Sequence, residues 1–395
     1  MTNNIASPSR ILSLDVFRAI TMFFMLFVNE MAGVKGLPHI LYHAEMHEDM
    51  LGFSDLIFPA FLFAMGMAVP FAVAARYKKG DSPLQVINHI ISRSIALIVM
   101  GLFTVNKGAY DAAASGIPSP VFTLLMVAGF FLLWNSYPPA TGNKKHLYTL
   151  LSLAGKALLI TLVVMATPRE GAHFGAKWWG ILGLLGWSYL VCSVLYVILK
   201  DSLWKNGVAL AIMVALCILT FNGVFKGVWI AYKFPSQPVL YTLTMAGIVC
   251  SLVMKRYARP EAPWKFIGIL AASALVMIAA GYVCHQHWII SKIQATPTWL
   301  FYCLGIFLPL YGIIYLICDT LRAEQVFAPI KPAGTHTLTC YMIPYIVAGV
   351  MGVMHWHFPD CTYEGAWGVV RCTIFSIAVV WIAYGMGKIN IKLKI

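Results

Sequence analysis

The chain has 395 residues, of which 60% are hydrophobic and only 11% charged, with a mean hydropathy of +0.78. A soluble domain carries ~25% charged residues, so the composition excludes a water-soluble globule and predicts an all-α polytopic membrane protein with no soluble domain. The net charge of +13 reads as Lys and Arg kept in loops against anionic headgroups, not as a nucleic-acid surface.

In chain order, twelve apolar segments approach the ~20 residues that a membrane helix needs. They lie at roughly 14–34, 53–76, 84–106, 119–137, 147–167, 178–200, 206–226, 236–255, 264–284, 298–319, 335–354 and 366–387. If 206–226, which holds Asn222, lies in the interface, the count is eleven. With a cytoplasmic amino terminus, the inner loops hold Arg10, Arg76, Lys78, Lys79, Lys144, Lys145, Lys255, Arg256, Lys388, Lys392 and Lys394, among others. The outer loops hold only Lys35, Lys107, Arg169, Lys177, Lys226, Lys233, Lys292 and Arg371. This bias puts both termini in the cytoplasm. The first segment is too long for the apolar core of a cleavable signal and is expected to remain as an anchor. Short loops without targeting extensions suggest a bacterial inner membrane.

The first two segments carry Asp15, Arg18, Asn29 and Asp55 in or at the ends of the spans. An ionisable group deep in a bilayer costs at least about 2.5–3.5 kcal/mol, which favours a protein-lined polar cavity. Asp15 and Arg18 are three residues apart, and Asn29 follows Arg18 by close to three helical turns, so the three share one face. The alternative is a surface ion pair that snorkels. Between the segments, His39, His43, Glu45, His47, Glu48 and Asp49 crowd into one loop. An imidazole there suits acyl transfer, either as the base for an attacking amine or hydroxyl or as the group that is itself acylated. Asp55 would fix its tautomer and Asn29 would donate to an oxyanion. The His-x-x-x-His spacing, with no third His or Cys at a convincing distance, leads us to expect no metal. In the third segment Arg93 forms a polar patch with Asn88 and His89, either pairing with Asp15 or Asp55 or holding a phosphate.

Most cysteines lie in apolar runs and read as small buried hydrophobes. Cys284, Cys361 and Cys372 lie near one set of loops, and a disulfide between two of them is left open. The run from Trp178 to Trp187, with Gly180, Gly183 and Gly186, is a small-residue pattern that lets helices approach closely.

Several motifs carry a resemblance. Arg10-x-x-Ser13-Leu14-Asp15-x-Phe17-Arg18 is followed by Val28-Asn29, His43-Ala44, and Asp55-Leu56-Ile57-Phe58-Pro59-x-Phe61-x-Phe63-x-x-Gly66. Ser291-Lys292-x-x-x-Thr296-Pro297-Thr298, Gly305 and Tyr315-x-x-x-Asp319 come later. Together these resemble the transmembrane acyltransferase family typified by heparan-α-glucosaminide N-acetyltransferase. The resemblance implies one integral-membrane acyltransferase-like domain over 1–395, with motif helices at 14–106 and 285–354. It implies transfer of acetyl from cytoplasmic acetyl-CoA, the co-substrate, to an amino sugar or other glycan on the periplasmic side, by N- or O-acetylation.

By position it makes His43 the key residue. The loop is about two residues longer than the family's, so His47 is the alternative. Asp15, Arg18, Arg93, Lys78 and Lys79 would hold the coenzyme. Lys292, Thr296, His285 and His287 would line the acceptor side. Thr296-Pro297 also reads as a helix start. The family's Gly-Val-Leu-Gln-Arg run has no counterpart in VFTLLMVAGF or GILGLLGWSYL. Partners are then the bilayer, acetyl-CoA and a glycan, with no nucleic acid and with a homodimer left open. The competing reading is a transporter or exporter of a small anionic or sugar solute, for which buried charges are equally expected.

Overall fold

The computed structural model describes residues 11–108, 110–166, 174–175, 178–225 and 238–395. Arg10, Arg169, Lys177, Lys226 and Lys233, and the segment ends at 167, 226 and 236, lie outside the described residues. Among those described, twelve long helices follow one another. They are α1 (Leu12–Met31), α2 (Phe53–Lys78), α3 (Pro83–Asn106), α4 (Ser119–Trp134), α5 (Asn143–Met165), α6 (Gly180–Leu199), α7 (Leu203–Phe221), α8 (Pro238–Tyr257), α9 (Trp264–His285), α10 (Pro297–Tyr315), α11 (Thr337–Met354) and α12 (Gly365–Lys388). Eleven are long and apolar enough to cross a membrane, and α4 is shorter, at 16 residues. The described residues contain no strand, only two isolated bridges, Lys35 with Glu364 and Asn135 with Leu393. The protein is thus an all-α polytopic membrane protein. None of the nine cysteines is disulfide-bonded; Cys284 and Cys372 are buried and Cys361 is exposed.

The helix ends explain several boundaries. α1 has no side-chain cap of its own. The carboxylate of Asp319, on a π-turn that ends α10, accepts from the Leu12 and Ser13 N–H groups at 3.2 Å each. A negative group there satisfies donors that the first helical turn leaves open. α3 starts on a capping box between Ser82 and Gln85, with Pro83 in its first turn. In α2, Pro59 and Pro70 have no N–H to donate, which frees the carbonyls four residues earlier, at Asp55 and Gly66.

Small residues set the closest helix contacts. A Cβ on Gly66 would run into the Thr244 carbonyl, and one on Gly247 into the Phe63 carbonyl, so α2 and α8 touch backbone to backbone. Gly101 of α3 meets the backbone of Trp179 and Gly183 in the same way, and Gly186 seats on Ser94, Leu97 and Ile98. The centre is aromatic: Phe17 packs edge-on to Phe63 and Tyr311, at 6.1 and 5.7 Å. α5, α7 and α9 are the least buried spans and turn Leu150, Ile160, Ile212 and Leu275 outward, as lipid-facing helices do.

The helices alternate in direction. The Asn135 bridge to Leu393 joins the end of α4 to the segment after α12, whereas the Lys35 bridge to Glu364 joins the loop after α1 to the start of α12. α4 therefore runs the full way: Ser119 Oγ bonds the Lys107 carbonyl after α3, at the opposite end from Asn135.

Candidate active site

Two features stand at opposite ends of the bundle. At one end the loop before α2 folds back tightly on that helix. Tyr42 donates its hydroxyl to the Val34 carbonyl at 2.7 Å, and Ser54 donates to the Leu41 carbonyl at 2.7 Å. A Cβ on Gly52 would collide with the Tyr42 carbonyl, so glycine is needed at that crossing. This folding sets His43 against Asp55, with Nδ1 2.7 Å from Oδ1. Asp55 is only 1% exposed, while the His43 side chain is 41% exposed. The second oxygen of Asp55 accepts the Ala44 N–H at 3.0 Å.

The third member comes from far along the chain. Lys292 places Nζ 3.6 Å from Asp55 Oδ1 and 3.0 Å from His43 Nδ1. Asp55 and Lys292 both meet the ring at Nδ1; with the ring hydrogen assigned to Nδ1 for the shorter contact to the Asp55 carboxylate, Lys292 acts there through its charge on Asp55 and not as a donor to the ring. Nε2 of the neutral imidazole is then the basic nitrogen. Burial pushes the Lys292 ammonium below the usual lysine value, and the charge of Asp55 opposes that shift.

A clamp between two loops holds Lys292 there. Asp49 accepts from the Ile290 N–H at 2.8 Å and from His285 Nε2 at 2.7 Å. Burial alone would raise the Asp49 carboxyl, but the Ile290 N–H and His285 outweigh it and leave it below the usual carboxylate range. The Met46 carbonyl accepts from Ser291 Oγ and Gln294 Nε2 at 3.1 and 2.7 Å. Thr296 caps α10, accepting from the Trp299 N–H at 3.3 Å and from the Ser291 N–H at 3.1 Å, and is itself 1% exposed. Thr296 and His285 thus shape the loop that carries Lys292; Thr296 is buried there, while the His285 side chain keeps 31% of its surface exposed. His47 and His287 are exposed, and His39 pairs with Glu48 at 2.6 Å. Asn29 is exposed on α1 and lies outside the cavity that Asp15 and Arg18 line, although the three share a helical face.

At the other end is a cavity of about 780 Å³. Asp15, Arg18, Lys78 and Arg93 line it, joined by Lys255, Lys392 and Lys394; Lys79 does not. Arg18 reaches Asp15 at 4.0 Å and Thr337 Oγ1 at 3.4 Å. The Arg93 guanidinium lies 4.9 Å over the Tyr189 ring, and its buried Nε has no hydrogen-bond partner among the described residues. The Arg93 side chain also lines the cavity, where a guanidinium suits an anion. Deeper in, the lining turns apolar, with Met22, Met25, Phe61, Ala64, Leu97 and Leu185. Phe61 is six residues along α2 from Asp55, or about 9 Å at the helical rise. A charged mouth over an apolar shaft suits a ligand with a phosphate head and a long thin arm. The lysines missed on the sequence had one signal, the Lys-x-Lys spacing at 392 and 394. Among the described residues, no His, Cys, Asp and Glu group could hold a metal ion.

Comparison with known proteins adds two findings. Residues 10–220 match the profile described as "Domain of unknown function (DUF5009)". Human heparan-alpha-glucosaminide N-acetyltransferase is 33% identical over 101 residues, 26% of this chain and 14% of that protein. The mouse protein of the same name is 31% identical over 101 residues, 26% of this chain and 15% of its own length. The match therefore spans a small part of these relatives.

Proposed function

Since this chain belongs to the DUF5009 family, whose description assigns no activity, we propose its function from the site and from its similarity to the human and mouse enzymes: it is a transmembrane acetyltransferase. It takes acetyl from cytoplasmic acetyl-CoA and passes it to an amino sugar or related glycan on the periplasmic face of a bacterial inner membrane. The observation that carries this reading is the His43–Asp55 contact at 2.7 Å, with Lys292 against both, about two helical turns beyond a cationic cavity that opens at the opposite end.

In the direct route, His43 Nε2 takes the proton of the acceptor amine or hydroxyl as that atom bonds to the thioester carbonyl carbon. The tetrahedral intermediate then breaks its C–S bond, and the thiolate leaves with the proton that His43 returns. In the two-step route, Nε2 bonds to the thioester carbonyl carbon and the C–S bond breaks, the coenzyme leaving as the thiolate; the acceptor then bonds to the acetyl carbon, the C–Nε2 bond breaks, and the acceptor's proton passes to Nε2 and on to the thiolate or solvent. In both, Asp55 holds the ring in the tautomer that bares Nε2. Arg18, Arg93 and Lys78 bind the phosphates of the coenzyme.

Purified protein given radiolabelled acetyl-CoA and a panel of amino sugars is expected to label an acceptor. His43→Ala is expected to lower kcat by about 10²–10⁴-fold, the usual contribution of a positioned acid–base group, and His47→Ala to change it little. Label transfer untouched by either change overturns the histidine mechanism. The cationic cavity also fits a carrier for a small anion. Uptake of a labelled anion into proteoliposomes, with no acetyl transfer, is the outcome that favours that reading.

A further inference from the structure

We propose that the segment after α12 is part of the donor site, and that Lys392 and Lys394 bind the nucleotide phosphates of the coenzyme. This rests on the acetyl-CoA reading above and assigns it a wall that the amino-terminal motif helices do not supply.

The segment is built into the fold. After Lys388 the chain turns at Asn390, whose φ of 61° lies in the left-handed region that Asn tolerates. It then runs extended beside the end of α4. The Asn135 side chain clasps it twice, donating from Nδ2 to the Asn390 carbonyl at 3.0 Å and accepting the Lys392 N–H at 2.8 Å. Ser136 N–H donates to the Lys392 carbonyl at 2.8 Å, and Lys394 N–H donates to the Trp134 carbonyl at 3.1 Å. Leu393 N–H donates to Thr339 Oγ1 at 3.1 Å, and the Leu393 side chain is 4% exposed in the core.

Lys392 and Lys394 line the cavity together with Leu393 and Ile395, and basic side chains outnumber acidic ones there. Arg18, Lys78, Arg93, Lys255, Lys392 and Lys394 surround it with one side-chain carboxylate, Asp15. Asp15 lies within 4.0 Å of Arg18, and Lys255 bonds Asp201 at 2.8 Å. Six basic side chains to one acidic side chain along this lining suit a polyanion. The apolar shaft fixes its orientation: the arm goes inward along Met22, Met25 and Phe61, and the phosphates stay at the mouth beside the tail.

The test is binding of coenzyme A by calorimetry, in neutral detergent so that no anionic lipid competes. Lys392→Gln with Lys394→Gln keeps every backbone bond of the clasp. This variant is expected to weaken binding about tenfold or more and to flatten its loss with rising salt, while its melting temperature matches that of the parent. Asn135→Ala, which leaves both lysines in place but frees the tail, is expected to give a smaller loss. If the parent binds and the double variant binds equally well, with the same salt dependence, the proposal is overturned and the acetyl-CoA reading stands. If the parent itself does not bind, both fall.

Discussion

Lys292 shows how far a single residue's behaviour can be argued here. Burial holds its ammonium below the ordinary lysine value, and the opposing charge of Asp55 is the weaker influence. As pH rises, the proton is therefore lost earlier than from an exposed lysine, and with it the positive charge facing Asp55 and His43. The alkaline side of the kcat profile is expected to fall below the usual lysine range. Lys292→Arg, whose guanidinium keeps its proton, is expected to carry the plateau upward; an unchanged alkaline limb in that variant removes the lysine from the pair's electrostatics. Asp55 was legible as a costly polar residue at the end of an apolar span, whereas His43 and Lys292, both in loops, were singled out only through the motifs that carry the family resemblance. Their partners were not legible. Asp49 reads as one acid among several until His285 and the Ile290 N–H are seen to meet it. Thr296 showed its capping role in plain view, since Thr-Pro is how a helix starts.

At the scale of the element, hydrophobic runs placed all twelve helices within a few residues. The misfit at the end of α4 has a local cause: the apolar run reaches 137, but the helix stops at Trp134 because Asn135 and Ser136 turn extended to bind the tail. The Gly-rich start of α6 announced a close contact. The tighter α2–α8 crossing was hidden, because Gly66 and Gly247 each stand alone in ordinary apolar sequence and only the packed pair shows what each excludes. This crossing also sets the shape of the cavity, since Phe61, Ala64 and Met65 lie on the same stretch of α2. Gly66→Ala is expected to force the helices apart at a cost of about 1–3 kcal/mol, the usual range for overpacking. A lower melting temperature in detergent together with weaker coenzyme A binding is the expected pair of results; an unmoved melting temperature contradicts the close crossing.

For the whole molecule, what matters is which ends share a side. Helices that alternate in direction collect Ile11, Lys78, Lys255, Thr335 and Lys392 around one cavity, and they gather His43, Asp49, His285 and Lys292 at the opposite end. The loop cations favour the cavity side as cytoplasmic, which would deliver acetyl-CoA where the cell makes it available and leave His43 facing the other compartment. Sidedness is measurable without any assay of transfer. In a Cys361→Ala background, which removes the exposed native thiol, Lys79→Cys and His47→Cys put reporters at the two ends, both exposed. A membrane-impermeant maleimide added to intact cells is expected to label the cysteine at 47 and to reach the one at 79 only after the membrane is opened. Labelling of both from outside would put the two ends on one side of the bilayer, and then no arrangement of a donor below and an acceptor above could operate. Labelling of 79 alone would keep the alternation but invert it, and would leave the cationic mouth facing a compartment without acetyl-CoA.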